Sequence, residues 1–227
     1  METKSTQEAQ VLTEQAVDTR DPILVWDIPT RLFHWALVLC FATAYLTSES
    51  ERWQLWHVAA GYTFGALLLF RLIWGLIGTR YARFDNFVVG PKAVLRYLRS
   101  LLTRHPMHYV GHNPAGAWAI VGMISLGLLV VVTGWASFND YGDWIGELHE
   151  GFVNVLLLII AIHIGGVVVS SFLHRENLIR SMVNGYKQGN SSDAIRYPQW
   201  IVGLLLALGL AIFLWALLTS RLTVLLP

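Results

Sequence analysis

Two histidines, His149 and His163, lie fourteen residues apart on one apolar segment that we predict to be a helix over about residues 146–173. Fourteen residues turn an α-helix to within about 40° of its starting direction and advance it about 21 Å, so both imidazoles lie on one face. Histidine inside an apolar span is costly and usually functional. The spacing therefore predicts two separate binding sites, one above the other along this helix.

The composition is typical of a membrane protein. Of the 227 residues, 55% are hydrophobic and only 14% are charged, far from the mixture found in soluble domains. The formal net charge is +1, so bulk charge gives no indication of nucleic-acid binding. The single cysteine, Cys40, excludes an internal disulfide, and we interpret it as a small packing residue.

Five apolar segments are long enough to cross a bilayer, and each is predicted to be helical because lipid offers the backbone no hydrogen-bond partners. They cover about residues 32–47, 55–77, 115–138, 146–173 and 200–219. The first is short and interrupted by His34, so it is the weakest by hydropathy. The stretch around residues 91–102 alternates apolar and basic residues at helical spacing, which predicts a short helix on the inner membrane surface.

The charged loops predict the orientation. The loop between spans two and three and the segment after span four are rich in Lys and Arg, whereas the loop between spans three and four carries Asp140, Asp143 and Glu147 and no basic residue. The positive-inside rule then places the N-terminus and the basic loops in the cytoplasm and the acidic loop outside. Five spans leave the C-terminus outside. Residues 1–22 lack the apolar core of a cleavable signal peptide, and we expect a flexible cytoplasmic tail.

This orientation sorts four histidines by depth into two pairs. We call them the outer pair, His57 with His149, and the inner pair, His34 with His163. Two facing imidazoles fill both axial positions of a haem iron that exchanges electrons. A lone histidine could instead bond across helices or relay protons, but four in two facing pairs favour haem. Zinc fits less well, since each site would have only two nitrogen ligands. No Cys-x-x-Cys-His motif is present, which excludes covalent c-type attachment.

Two arginines are candidates for holding a haem propionate. Arg71 lies fourteen residues after His57, on the same face of span two but at its inner side, and a charge there needs an anionic partner. Arg31 lies one turn before His34. Both could instead extend to lipid phosphates. For Arg31 the two interpretations are equally supported, and for Arg71 the cofactor is favoured.

The remaining histidines lie at the inner side. His105, His108 and His112 have a spacing that could bind a metal, but the surrounding Pro and Gly residues favour solvated loop histidines. His174, at the end of span four, together with Glu176 could take or deliver protons for quinone chemistry. A plain turn at the membrane interface explains these two equally well.

Several separated motifs resemble, in order, those of the bacterial cytochrome b561 family, which includes the b-type cytochrome subunits of nickel–iron hydrogenases. The matching segments are Val25-Trp-Asp-Ile-Pro-Thr-Arg-Leu-Phe-His-Trp, His57-Val-Ala-Ala-Gly-Tyr, Arg71-Leu-Ile-Trp-Gly, Gly111-His-Asn-Pro-Ala-Gly and His174-Arg-Glu-Asn-Leu with Met182-Val-Asn-Gly. The likeness covers about residues 23–187. The fifth span, 200–219, departs from the family's four-helix pattern, and we expect it to pack against the bundle or a partner subunit.

The resemblance implies an all-α integral membrane protein with a four-helix bundle over residues 23–187. The apolar pattern adds a linker and a fifth helix over residues 188–227. The resemblance further implies two b haems, with His34, His57, His149 and His163 as axial ligands. It also implies a protein of the bacterial inner membrane that passes electrons between a periplasmic partner and the quinone pool.

The leading hypothesis is therefore an electron-transfer subunit that joins a periplasmic cytochrome c or hydrogenase-like subunit to quinone, alone or in an oligomer. The acidic outer loop offers charge complementarity to a basic partner. The alternatives are a stand-alone quinone oxidoreductase that uses a small diffusible species such as superoxide, and a haem-bearing membrane anchor of a larger complex. A sensor would be expected to carry a signalling domain, for which neither tail is long enough.

Overall fold

The computed structural model describes residues 21–103 and 107–225, with side chains as far as residue 219. Nearly all of the predicted N-terminal tail lies outside these residues. His105 also lies outside them, in the gap between residues 103 and 107. The described helices are α1 (Ile28–Thr47), α2 (Gln54–Ile77), α3 (Phe84–Phe87), α4 (Pro91–Ser100), α5 (Pro114–Phe138), α6 (Asp143–Leu173), α7 (Leu178–Asn184) and α8 (Trp200–Leu225). Two short strands, β1 (Asp21–Leu24) and β2 (Tyr186–Gly189), form an antiparallel pair.

Four stretches in the described part of the chain are long and apolar enough to cross a membrane. They are Glu51–Ile77, Pro114–Phe138, Asp143–Leu173 and Trp200–Thr219. These match four of the five predicted spans to within a few residues. The first predicted span is helical, as α1, but it is not among the four. Arg31 and His34, in its first two turns, reduce its apolar character, so a crossing by α1 stays a prediction.

Two of the long helices begin with the same local device. Asp27 caps α1 by accepting a hydrogen bond from Thr30 N at 2.7 Å, and Asn113 caps α5 by accepting one from Gly116 N at 2.8 Å. Each cap precedes a proline in the first turn, where the missing N–H costs nothing. The two caps fix the first turns of α1 and α5. They therefore also fix the positions of Trp26 and His112, the residues directly before the caps.

The spanning helices pack as two pairs, α1 with α2 and α5 with α6, and α2 also packs against α5. Their shared core is a cluster of four buried side chains, which we call the middle layer: Phe64, Leu68, Ile124 and Leu156. In the described structure α6 packs mainly against α5 and the short α7. It meets α2 through Leu156 in the middle layer and through His149, which faces His57.

The β1–β2 pair closes the inner end, and sequence analysis did not predict it. Ile23 is in register with Lys187, and Ile23, Val25 and Trp26 form a second buried cluster. Gly185 allows the close approach, because its φ is +91° and a Cβ there would lie 2.8 Å from Trp26 O. The predicted short helix is present as α4, and its position on the inner membrane surface stays a prediction. The C-terminal α8 packs against α1 and α2, as expected of a helix added to the bundle.

Candidate cofactor-binding sites

The outer pair faces across the bundle. The ring centroids of His57 and His149 lie 6.4 Å apart, with an interplanar angle of 79°. His57 Nδ1 is 2.8 Å from Ala44 O, and His149 Nδ1 is 2.9 Å from Val130 O. A carbonyl oxygen only accepts, so both Nδ1 atoms must carry a proton. The Nε2 lone pair of each ring is then available as a ligand, with the ring orientation fixed from behind.

The separation of these rings fits a shared metal. A metal–imidazole nitrogen bond is about 2 Å long, so two nitrogens on opposite sides of one metal lie about 4 Å apart. The ring centroids must lie farther apart than the nitrogens, by the distance from each centroid to its nitrogen. The observed 6.4 Å agrees with that arrangement. In contrast, it is too long for a direct hydrogen bond between the rings.

Two glycines leave room at the outer pair. A Cβ at Gly134 would lie 2.8 Å from His149 Cε1, so only glycine lets the imidazole lie against α5. A Cβ at Gly61, one turn after His57, would meet no atom within 4 Å. The surroundings therefore admit a flat group beside the helix backbones.

The inner pair joins α1 to α6. His34 and His163 are part-buried and close enough for their charges to interact. His34 Nδ1 is buried and has no hydrogen-bond partner within the protein. A buried polar atom without a partner costs about 1–3 kcal/mol. A bound group that supplies the missing contact accounts for this atom, so the inner pair also fits a haem site.

Arg71 is buried instead of extended toward lipid. Its side chain is 4% exposed, and its Cζ lies 4.7 Å from the centroid of Phe84 and 5.8 Å from that of Phe87. The Nη1 atom has no hydrogen-bond partner. The carboxylate of Asp27 is near enough to interact with its charge. A buried guanidinium with a free donor fits the cofactor interpretation better than contact with lipid phosphate.

Arg31 has a partner that neither interpretation anticipated. Its Nη1 donates to Val183 O at 2.6 Å, at the end of α7, while its Nε is buried without a partner. Trp35 Nε1 donates to the neighbouring carbonyl, Met182 O, at 3.1 Å. Both side chains therefore fasten α7 to α1, beside His34.

Sequence reasoning missed the role of Asp27. Its side chain is fully buried, and besides capping α1 it accepts hydrogen bonds from Trp74 Nε1 at 3.2 Å and from Thr79 Oγ1. The residues lay within quoted motifs, Val25-Trp-Asp-Ile-Pro and Arg71-Leu-Ile-Trp, but nothing in their spacing joined them. One carboxylate thus links the inner ends of α1 and α2 beside Arg71.

The prediction of solvated loop histidines is wrong for His112. The ring of His112 lies between Trp26 and Phe87, at centroid distances of 4.6 and 4.5 Å. Burial, followed by the charge of Arg71, lowers the pKa of His112 to about 3, so the ring is neutral at physiological pH. His108 instead contacts Glu176, and no three potential metal ligands converge within the described residues.

Glu176 belongs to an ionic cluster at the inner end. Its Oε2 lies 3.4 Å from Lys187 Nζ and 3.5 Å from His108 Nε2, while Oε1 accepts a hydrogen bond from Gln188 N at 3.0 Å. Burial opposes ionisation, but the adjacent His108 and the charge of Lys187 outweigh it and lower the pKa of Glu176 to about 2. The carboxylate is therefore ionised. It anchors β2 to the end of α6.

His174 lies against this cluster, with its ring 5.3 Å from that of His108. Burial, together with the charges of His108 and Lys187, lowers the pKa of His174 below its usual value. The ring is therefore mainly neutral near pH 7. A neutral imidazole next to an ionised carboxylate can both accept and donate a proton.

Comparison with known proteins identifies the family. The family model for prokaryotic cytochrome b561 matches residues 25–185. A probable Ni/Fe-hydrogenase 1 B-type cytochrome subunit of Escherichia coli K12 is 26% identical over 72% of this chain and 89% of its own length. A probable Ni/Fe-hydrogenase B-type cytochrome subunit of Bradyrhizobium diazoefficiens is 24% identical, over 77% and 89%.

The corresponding subunit of Cupriavidus necator is 23% identical over 72% of this chain and 86% of its own length. No solved structure matches the chain significantly. The family match spans α1, α2, α5 and α6 and ends at Gly185, so it includes all four paired histidines and leaves α8 outside. The chain therefore belongs to the prokaryotic cytochrome b561 family and is a multi-pass membrane b-type cytochrome.

Proposed function

We propose that this protein binds two b haems, one at the outer pair and one at the inner pair, and carries electrons between a periplasmic redox partner and the quinone pool. The observation that carries the proposal is the outer pair, whose rings face each other with both Nδ1 protons committed to backbone carbonyls. When bound, haem supplies a reversible one-electron change at iron, and two axial histidines favour electron transfer over oxygen binding.

The protein residues hold and shield these groups. Ala44 and Val130 fix the ring orientations of the outer pair through their carbonyls. Leu156 lies seven residues from both His149 and His163, and its burial in the middle layer keeps water from the zone between the sites. Arg71 and Arg31 offer unpartnered donors at the inner side, as anionic propionates require.

The proposed partner binds at the outer face. The acidic side chains between α5 and α6 and in the first turns of α6 are exposed: Asp140, Asp143, Glu147 and Glu150. Their charge suits a basic docking surface on a periplasmic cytochrome c or a hydrogenase-like subunit. The names of the curated relatives favour the hydrogenase-like partner. This arrangement requires the bacterial inner membrane, a cytoplasmic N-terminus and a periplasmic C-terminus.

The proposed quinone site is at the inner end of α6. A groove of about 440 Å³ lined by Ser171, Phe172, Leu173 and Arg175 opens there, next to His174 in the chain. Quinone reduction consumes protons, and His174 beside ionised Glu176 is suited to supply them. Glu176 itself, with its lowered pKa, acts by orienting its neighbours.

The test is a redox titration of the purified protein, with haem extracted and counted. We expect two b-type centres per chain. His163→Ala should remove about half of the haem and abolish quinone reduction while the outer centre keeps its spectrum. A single centre in the unmodified protein, or normal quinone reduction by His163→Ala, would refute the proposal. Assembly with the partner should survive this substitution if the protein is an anchor only.

A further inference from the structure

His112 is a fifth part-buried imidazole that the paired-histidine arrangement does not use. It is enclosed between Trp26 and Phe87, and its Nδ1 atom is buried without a hydrogen-bond partner. It lies close enough to both histidines of the inner pair for their charges to reach it. A side chain placed only for packing has no need of a polar ring there, because an apolar ring would avoid the desolvation cost.

Arg71 also has a buried nitrogen without a hydrogen-bond partner, and it contacts the same aromatic ring as His112. The Phe87 ring contacts both residues, with Arg71 Cζ 5.8 Å and the His112 centroid 4.5 Å from its own centroid. Arg71 Nη1, like His112 Nδ1, has no partner. Arg71 Nη1 is a donor, and His112 Nδ1 is one when the ring carries its proton there. One acceptor could serve both atoms, and the guanidinium charge favours an anion.

The nearby carboxylates of the protein are already engaged. Both oxygens of Asp27 accept hydrogen bonds from Thr30, Trp74 and Thr79. Glu176 Oε1 accepts from Gln188 N and Oε2 lies in ion pairs with Lys187 and His108, and no carboxylate is among the charged groups that act on His112. We therefore assign the acceptor to a bound molecule at the inner pair. The anionic groups of haem are its two propionates.

We propose that His112 and Arg71 together bind one propionate of the haem held by the inner pair, with His112 donating Nδ1–H and Arg71 supplying the balancing charge. The inference rests on the proposed function, since it requires haem at His34 and His163. The caps at Asp27 and Asn113 position the residues around the proposed propionate site. Asp27 fixes the start of α1 beside Trp26, and Asn113 holds His112 directly before α5.

Three substitutions of His112 distinguish a role as hydrogen-bond donor from a role in packing alone. His112→Phe keeps a ring and removes the donor. His112→Asn places an amide nitrogen at the position of Nδ1, whereas His112→Gln places it near that of Nε2. If Nδ1–H is the functional group, Asn should behave like the unmodified protein, and Gln should behave like Phe.

Two measurements do not depend on activity. The first is haem retention and the midpoint potential of each centre, with the outer centre as internal reference. Loss of a residue that supports a metal-bound group by a hydrogen bond typically weakens metal binding about 10–100-fold. We therefore expect the His112→Phe protein to lose the haem of the inner pair on dilution. The haem that remains should titrate at a lower potential, because the propionate charge is less balanced. The second is redox-difference infrared spectroscopy with haem ¹³C-labelled at its propionates, in which Phe and Gln should shift the labelled band.

The inference is overturned if His112→Phe retains both centres at unchanged potentials with an unchanged labelled band. If His112→Phe does not fold, the comparison of Asn with Gln decides, since equal behaviour of these two variants would exclude a donor at Nδ1. An unmodified protein with no haem at the inner pair would instead refute the proposed function.

Discussion

Trp74 donates its indole N–H to Asp27 across 3.2 Å, and so the last turn of α2 is joined to the residue that caps α1. The same carboxylate accepts from Thr30 N and Thr79 Oγ1 and lies within electrostatic reach of Arg71. A single buried side chain thus joins the start of α1 to the last turn of α2 at the inner side.

Asp27→Asn should destabilise the protein by about 1–3 kcal/mol, because a buried charge-assisted hydrogen-bond network loses its acceptor charge. Thermal unfolding in detergent, followed by circular dichroism, measures the loss. Asp21→Asn is the matched control, since Asp21 is exposed on β1 and should change little. Equal transition temperatures for the two variants would show that the network contributes nothing.

Single alanine substitutions of the paired histidines should fall into two groups. We expect His57→Ala and His149→Ala to remove one spectral component, and His34→Ala and His163→Ala to remove the other, because in the proposed arrangement both members of a pair bind the same iron. Low-temperature difference spectra of membranes distinguish the components. The prediction fails if two members of one pair give different residual spectra while both variants accumulate normally.

Leu156→Ala should cost about 2–5 kcal/mol of stability, the usual range for truncating a large buried side chain. Leu156 is 1% exposed within the middle layer, whereas Leu158, two residues away, is 60% exposed. Leu158→Ala is therefore the control and should cost much less. Thermal unfolding of both variants provides the comparison, and similar costs would mean that the middle layer is not a packed core.

Glu176 should make stability depend on pH at the acidic end. Its pKa is lowered to about 2, below the unfolded value of about 4.3, so its contribution is complete above pH ~4.3 and is lost as the pH falls through about 2. Limited proteolysis of the β1–β2 region between these values measures the effect. Glu176→Gln should flatten the dependence, and an unchanged profile in that variant would contradict the assignment.

The same substitution should destabilise the inner end at neutral pH by about 3–5 kcal/mol, because it leaves buried Lys187 without its counter-charge. Lys187 is 5% exposed. Adding Lys187→Met should restore most of the loss, as the unpaired charge is removed. If the double variant is less stable than Glu176→Gln alone, the ion pair is not what the single substitution disrupts.

The spanning helices could be predicted well from sequence because a bilayer imposes length and apolarity on each segment independently. Histidine spacing predicts that His149 and His163 share a face for a similar reason, since positions fourteen residues apart lie on one side of a helix whatever the neighbours. The β1–β2 pair could not be predicted, because residues 21–24 and 186–189 are short and far apart in the chain. Its register depends on contacts such as Gly185 against Trp26.

Burial of polar groups outside the spans was equally inaccessible. His112 lies in a segment whose composition resembles a solvated loop, and only the convergence of Trp26 and Phe87 removes it from water. Asp27 also owes its role to partners about fifty residues away. The local sequence pattern indicates whether a segment faces water or lipid. The burial of His112 and Asp27 depends instead on contacts with segments that are distant in the chain.

The buried cations near the two sites are unevenly distributed. Arg71 and Lys187 are buried toward the inner pair, while the outer pair is fixed by neutral carbonyls. In the proposed orientation, an electron that travels inward moves toward the negative side of an energised membrane, at a cost of about 2.3 kcal/mol per 100 mV. Arg71 and Lys187 lower the energy of the arriving electron to the extent that their charges exceed those of the neighbouring carboxylates, Asp27 and Glu176. In the proposed orientation these buried cations would thus have a second role, which is to help an electron move against the membrane voltage.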